Sequence, residues 1–165
     1  MNKNIITFDQ WATKGKDVGM EKGHFASVKQ MFQIIDSELT KKYSVIDLGC
    51  GNGWVVRKFK KHPLCKIAHG LDGAKTMIKK AIKADPEGKY FNEDINTWLP
   101  QKRYDVVFSM ETLYYFQSPG VIINKIHDDV LNKTGMLIMG IDHYTENKAS
   151  LNWAEEFNLN ITTLS

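Results

Sequence analysis

The chain has 165 residues, 42% of them hydrophobic and 25% charged, with a formal net charge of +3. That composition fits one globular domain and excludes a disordered chain, and so mild a basic excess gives little support for nucleic-acid binding. No apolar run approaches the roughly 18 residues of a membrane span, the start MNKNIITFDQW lacks a secretory leader's apolar core, and Cys50 and Cys65 make neither a disulfide framework nor a four-ligand zinc site.

Residues 1–42 read as helical. Phe25, Val28, Phe32, Ile35 and Leu39 recur at three- and four-residue steps, the stripe of an amphipathic helix. A glycine-broken stretch, residues 11–24, leads into it. Gly15, Gly19 and Gly23 loosen its backbone, and Trp11, Glu21 and His24 could cover a ligand as a lid. From Tyr43 strands and helices alternate. Tyr43 to Leu48 (YSVIDL) is a buried strand and Gly49 to Gly53 a turn. Val55, Val56 and Phe59 mark a helix that ends in Arg57, Lys58, Lys60, Lys61 and His62 before Pro63. Ile67 to Leu71 is a second strand. Ala74 to Ala84 is a helix with Met77, Ile78, Ala81 and Ile82 inward, closed by the turn Asp85-Pro86-Glu87-Gly88. Tyr90-Phe91 is a short third strand and Tyr104 to Ser109 a fourth. Ser118 caps a helix with Pro119 at its first position. Val121, Ile122, Ile126, Val130 and Leu131 supply its core side, Gly135 ends it, and Met136 to Ile141 is the fifth strand. Apolar strands alternating with helices predict an α/β fold with a parallel sheet covered on both faces. Ligands of such sheets bind beyond the carboxyl ends of the strands, at the switch point.

The residues just after each strand are therefore informative. The first strand runs into Asp47-Leu48-Gly49-Cys50-Gly51-Asn52-Gly53. A nicotinamide dinucleotide fingerprint, G-x-G-x-x-G from Gly49, needs glycine at position 54, which is Trp54. The carboxylate of Asp47 repels a pyrophosphate and attracts an ammonium or sulfonium. The plainer reading of the glycines alone is a tight turn with no ligand. Asp72, at the tip of the second strand, can accept both hydroxyl hydrogens of a ribose or cap the following helix. Asp94-Ile95, after the third strand, can take an adenine amino hydrogen and pack the ring. On its own Asp94 reads as a surface acid.

Three acids on three strand tips, joined to this glycine turn, are far more specific than any one of them. Here the sequence resembles the class I S-adenosylmethionine-dependent methyltransferases. The resemblance rests on VIDLGCGNG (45–53), GLDGAKTMIKKA (70–81), EDI (93–95), YDVVFSMETLYYF (104–116) and VIINKIHDDVLNKTGMLIMGI (121–141). It implies a Rossmann-like, doubly wound, mostly parallel sheet with five recognisable strands. It also implies S-adenosyl-L-methionine as cofactor. Asp47 and the turn Gly49, Cys50, Gly51, Asn52 and Gly53 would hold its methionine part, Asp72 and Gly73 its ribose, and Asp94 and Ile95 its adenine, with Met110 beside them. The domain plan is a helical lead-in and lid at 1–42, a cofactor-binding core at 43–142 and a tail at 143–165.

Two departures sharpen the expectation. An Asn-Pro-Pro-Tyr type motif, the mark of amino-group methylation on adenine or glutamine, is absent after the fourth strand, where SMETLYYF stands. That points to a small-molecule substrate. The family's last two strands, an antiparallel hairpin, are not legible in the polar HYTENKASLNWAEEFNLNITTLS from His143, whose large anchor is Trp153. The chain reads as one that stops early, leaving Met136 to Ile141 as an apolar edge that either the tail covers, anchored by Trp153, or a second copy pairs, with a homodimer favoured.

Methyl transfer is an in-line displacement governed by positioning, with reacting atoms roughly 3–3.5 Å apart. Trp11, His24, Glu111, Tyr114, Tyr115, His143 and Tyr144 are the substrate-pocket candidates. No catalytic residue is assigned among them, since geometry comes before pKa. The plainer readings are wall aromatics for the tyrosines, a surface group for His143 and a cap for Glu111. No metal site is legible, because His62, His69 and His127 lie in segments that suggest no convergence. The expected protein is a cytoplasmic methyltransferase acting on a small molecule, without nucleic-acid or membrane partners. The alternatives are a non-catalytic S-adenosylmethionine-binding protein or truncated inactive enzyme, a nicotinamide oxidoreductase, which Trp54 and Asp47 speak against, and a supporting subunit of another methyltransferase.

Overall fold

A computed structural model of the chain describes residues 2–143, together with 145–148, 150, 152, 155 and 161. Tyr144 and Trp153, singled out above, lie outside the described residues. The lead-in folds as two helices. Asn2 caps α1 (Lys3–Thr13) by accepting the Asn4 N–H at 3.0 Å. Gly15, at φ 72°, bends the chain into a 3-10 turn, Lys16–Gly19, before α2 (Met20–Glu38). Gly23 sits inside α2, so the break expected across 11–24 narrows to the residues between Thr13 and Met20. Val28, Met31 and Ile35 are the buried face of α2. Phe25 instead is 47% exposed, with the Lys58 ammonium 4.6 Å above its ring.

The remainder alternates: β1 (Tyr43–Leu48), α3 (Trp54–Lys60), β2 (Cys65–Asp72), α4 (Lys75–Ala84), β3 (Lys89–Asn92), β4 (Tyr104–Met110), α5 (Pro119–Lys125) and β5 (Leu131–Gly140). All strand pairs are parallel, in the order β3-β2-β1-β4-β5. The strand order therefore switches between β1 and β4, where a crevice opens at the carboxyl ends. Alternation along β1 explains the two layers. Val45 packs with Val28, Ile35, Val55 and Phe59 from α2 and α3 on one face. Ile46 and Leu48 pack with Ile95, Trp98, Ile122 and Ile126 on the other. Among the described residues no helix is long and apolar enough to cross a membrane.

Several local expectations are corrected. β5 begins at Leu131 rather than Met136, because Leu131 already pairs with Tyr104 and its carbonyl accepts from Arg103 Nη1 at 2.7 Å. The register then shifts between Tyr104 and Val106, which accommodates the polar start of the strand. Ile82 and Val121, expected inward, are exposed at the margins of their helices. Ser118 makes no side-chain cap bond, so α5 starts on the fixed φ of Pro119.

Candidate active site

The glycine turn is shaped by contacts on every side. Gly49 and Cys50 N–H groups both donate to the Leu71 carbonyl, at 2.8 and 3.0 Å. Gly49, Gly51 and Gly53 have φ of 78°, 53° and 75°, a region that disfavours other residues. A Cβ on Gly49 would also lie 2.1 Å from Thr112 Oγ1. Gly70, in register with Asp47, leaves room for the Cys50 side chain. Asp72 then ties the turn to β2: Oδ2 accepts the Gly51 N–H at 2.9 Å and Oδ1 the Ala74 N–H at 2.7 Å.

Two acids thus stand near each other, Asp47 buried and Asp72 half-buried. Asp47 is 2% exposed, and burial, then the nearby Asp72 carboxylate, pushes its carboxyl well above the usual range. Burial raises Asp72 as well, against the hydrogen bonds from Ala74 and Gly51. Burial and the same two acids raise Cys50, so it stays a thiol and not a nucleophile.

A cavity lies beyond these strand tips. Of the expected cofactor residues, Asp47, Gly49, Cys50, Gly51, Asp72, Gly73, Asp94, Ile95 and Met110 line it. Asn52 and Gly53 do not. Asn52 Nδ2 donates to Asp17 Oδ2 at 3.2 Å, and Gly53 starts α3 where a Cβ would meet Tyr90 at 2.7 Å. Asp94 is held in a turn, its Oδ1 accepting from the backbone and side chain of Asn96 at 2.9 and 2.7 Å. Among the pocket candidates, Trp11, His24, Glu111, Tyr114 and Tyr115 line the cavity. His143 does not: it is buried, its Nδ1 shares a hydrogen bond with the Ser150 carbonyl at 3.0 Å, and its ring packs 5.4 Å from Tyr114.

The lead-in forms the remaining wall, with Ile5, Phe8 and Met20. Phe8 meets Trp11 and Tyr115 edge-on at 5.3 and 5.0 Å. Ile5 approaches Gly73 so closely that a Cβ there would sit 2.4 Å from its Cδ1. Asp9 Oδ1 accepts the Thr76 N–H at 2.6 Å in the first turn of α4, and the buried Asp17 accepts from Lys80 Nζ at 2.5 Å. Sequence reasoning missed these residues and Thr112, because nothing in helical periodicity says which remote strand tip a helix will cover. It also passed over Asp142, although that residue stands directly after the expected fifth strand.

At the far end of the cavity Glu111 has φ 56°, and its N–H donates to the Gly140 carbonyl at 2.8 Å. This left-handed residue ends β4 and is the kind of backbone outlier that clusters at functional sites. Its Oε2 accepts from the Tyr114 hydroxyl at 2.5 Å. Burial pushes its carboxyl up to about 7, opposed by that hydrogen bond, while Asp142 raises it by its charge and lowers it through its backbone. Burial lowers His24, against the pull of Asp142. The same burial raises Tyr114.

Residues 17–162 match the methyltransferase domain family. Malonyl-[acyl-carrier protein] O-methyltransferase 2 of Ilyobacter polytropus is 29% identical over 157 residues, which cover 91% of this chain and 56% of that protein. Trans-aconitate 2-methyltransferase of Klebsiella pneumoniae is 33% identical over 72 residues, 43% of this chain and 28% of that one. The chain thus spans about half the length of such relatives, or less. Among solved structures, the methyltransferase in complex with the Trm112 methyltransferase activator of Haloferax volcanii superposes with a TM-score of 0.84 at 27% identity, over 96% of this chain and 70% of that one. DhpI in complex with SAH shares the fold, with a TM-score of 0.65 at 17% identity over 82% of this chain and 65% of that one. The glycine turn, the acidic strand tips, the strand order and these similarities agree: the chain belongs to the class I S-adenosylmethionine-dependent methyltransferases.

Proposed function

We propose that the chain binds S-adenosyl-L-methionine in the cavity at the β1–β2–β4 strand tips and methylates a small-molecule acceptor held beside Glu111 and Tyr115. The observation that carries this reading is the pairing of the buried Asp47 with the half-buried Asp72 at the cavity wall. Two carboxylates stand close together with raised pKa values, and among the described residues no Lys or Arg lines their cavity. A ligand with a cationic group and a ribose matches that demand, because burying anions without a counter-charge is costly. The residues present fit the cofactor. Asp47 and the glycine turn would face its methionine part, Asp72 and Gly73 its ribose, and Asp94 and Ile95 its adenine, with Met77 and Phe8 as apolar walls.

When bound, the cofactor supplies an electrophilic methyl group on a sulfonium. The chain's residues supply the positioning. The backbone bonds from Gly49 and Cys50 to Leu71, and from Gly51 to Asp72, pre-form the cradle. The aromatic wall of Phe8, Trp11 and Tyr115 keeps water from the reacting end. Such preorganisation can supply much of the acceleration in a displacement that needs little acid–base help.

Thermal melts test the reading. S-adenosylmethionine or S-adenosylhomocysteine at 100 times its dissociation constant adds about 2.7 kcal/mol, a rise of about 5–10 °C in a domain of this size. NAD should give none. Asp72→Ala should weaken binding at least about tenfold, about 1.4 kcal/mol. No shift with either methionine-derived ligand at millimolar concentration removes the proposal. Formation of S-adenosylhomocysteine against a panel of acceptors separates an enzyme from a binding protein.

A further inference from the structure

The geometry points to a divalent transition-metal site formed by His24, Glu111 and Asp142 at the acceptor end of the cavity, with an open position for an acceptor oxygen. The first part stands on its own geometry. The acceptor clause rests on the function proposed above.

Three segments far apart in sequence converge here: α2 brings His24, the left-handed end of β4 brings Glu111, and the residue pair after β5 brings Asp142. One donor atom from each lies within 4.8 Å of the other two. His24 Nδ1 stands 3.7 Å from Asp142 Oδ2. That is too long for a hydrogen bond. It suits two atoms sharing one ion, since bonds of roughly 2.0–2.2 Å at tetrahedral to octahedral angles separate ligands by roughly 3–4 Å.

Two further observations point to a ligand. His24 Nδ1 and Glu111 Oε1 are buried atoms with no hydrogen-bond partner among the described residues, although most buried polar atoms are partnered. Both belong to this cluster, and one ion satisfies both. The other Glu111 oxygen is already held by the Tyr114 hydroxyl at 2.5 Å, the outer hydrogen bond that orients a ligating carboxylate. The lining of the adjacent cavity includes Asp47, Asp72, Asp94 and Glu111 and, among the described residues, no Lys or Arg, so a cation there meets no competing positive charge from them.

One imidazole and two carboxylates suit Zn²⁺, Mn²⁺ or Co²⁺ better than an all-oxygen ion such as Mg²⁺. Three protein ligands leave a position for water or substrate, as in catalytic zinc sites. His24 and Glu111 line the cavity, so an acceptor bound beside them could place an oxygen, hydroxyl or carboxylate, on the ion. An amine acceptor would gain less from such a site.

The test titrates Co²⁺ into the full chain, first stripped of metal and with no cofactor present. We expect visible d–d absorption that saturates at one equivalent and is reversed by Zn²⁺. Glu111→Gln and His24→Ala should each weaken Co²⁺ at least tenfold, while His127→Ala, at the exposed His127–Asp128 pair, should leave it unchanged. Circular dichroism on each variant verifies folding, and Asp142→Asn gives a third arm at a half-exposed residue. Acetohydroxamate, an oxygen chelator, should shift the bands of the native complex through the open position. No saturable binding up to millimolar Co²⁺, or equal affinity in Glu111→Gln and His24→Ala, overturns the metal site. Bands that acetohydroxamate does not move overturn the open position. Because no cofactor is present, these outcomes are independent of the melts with S-adenosylmethionine.

Discussion

The two ends of the cavity are built in opposite ways. At the β1–β2 end the glycine turn and Asp72 are tied down by backbone hydrogen bonds. The Leu71 carbonyl accepts from the glycine turn, and Asp72 accepts from Gly51 and Ala74. At the β4–β5 end the polar groups come from remote segments and keep open valences. Glu111 Oε1 and His24 Nδ1 have no partner among the described residues, and Glu111 holds a left-handed backbone. A cradle that must fit one ligand is made rigid by short-range bonds. Side chains drawn from separate elements, by contrast, can change at little cost to the fold.

The largest expected effect falls on the rigid end. Gly49→Ala places a Cβ against Thr112 Oγ1 and forces a side chain onto φ 78°. It should cost more than about 2 kcal/mol in urea denaturation and abolish cofactor binding. Adding Thr112→Ala should recover the steric part of the loss and not the backbone part. Full stability in Gly49→Ala would mean that the turn is not the rigid partner in this comparison.

Next comes the bond between lead-in and turn. Asp17→Ala removes the acceptor of Lys80 and Asn52, an expected loss of about 1–3 kcal/mol. Burial alone would raise the Asp17 carboxyl, but the hydrogen bonds from Lys80 and Asn52 hold it below the usual range. Its contribution is therefore complete above the unfolded value and disappears as pH falls through the folded one. Hydrogen exchange across residues 8–24 should slow when S-adenosylmethionine binds and quicken in Asp17→Ala. Unchanged exchange in both would remove the lead-in from the cradle.

How far the sequence carried this picture follows the same division. The glycine turn, Asp47, Asp72 and Asp94 were legible because they lie within a few residues of strands whose apolar runs are unmistakable. The parallel sheet covered on both faces was legible from the alternation of apolar strands and helices, whereas the strand order was not. Asp17, Thr112 and Ile5 were not legible, since each acts on a segment far away in the chain. Phe25, Ile82 and Val121 show another limit: periodicity marks an apolar stripe, but its margin is buried only if a neighbour reaches that far. Asn52 was placed in the cofactor set by its position in the turn, and the structure gives its side chain to Asp17 instead.

A smaller effect is expected at the open edge of the sheet. β5 pairs with β4 on one side and with no strand on the other among the described residues. Its Leu137, Ile138 and Met139 make it an apolar edge of the kind that invites pairing. Two copies can join there around a two-fold axis. Dimerisation should then make apparent stability rise with protein concentration, by at most about 1.4 kcal/mol per tenfold. Sedimentation of a pure monomer at micromolar concentration would remove this idea.

A last effect probes how well the folded chain shields a histidine in the sheet from protonation. His69 on β2 reaches past β1 to Tyr104 on β4, with Nδ1 2.7 Å from the hydroxyl. Burial, then Lys89 and Lys102, lower its imidazole from 6.5 to about 4. An unfolded chain therefore takes up this proton as pH falls below 6.5, while the folded chain resists until about 4. Stability from His69 is complete above 6.5, falls between those values, and changes no further below them. The raised carboxyls of Asp47, Asp72 and Glu111 slope the other way, since each loses stability as pH rises. The difference between the native chain and His69→Gln isolates the histidine. Urea midpoints at pH 7 and pH 5 should separate further in the native chain than in the variant. Equal separation would show that the folded chain does not shield His69 from protonation.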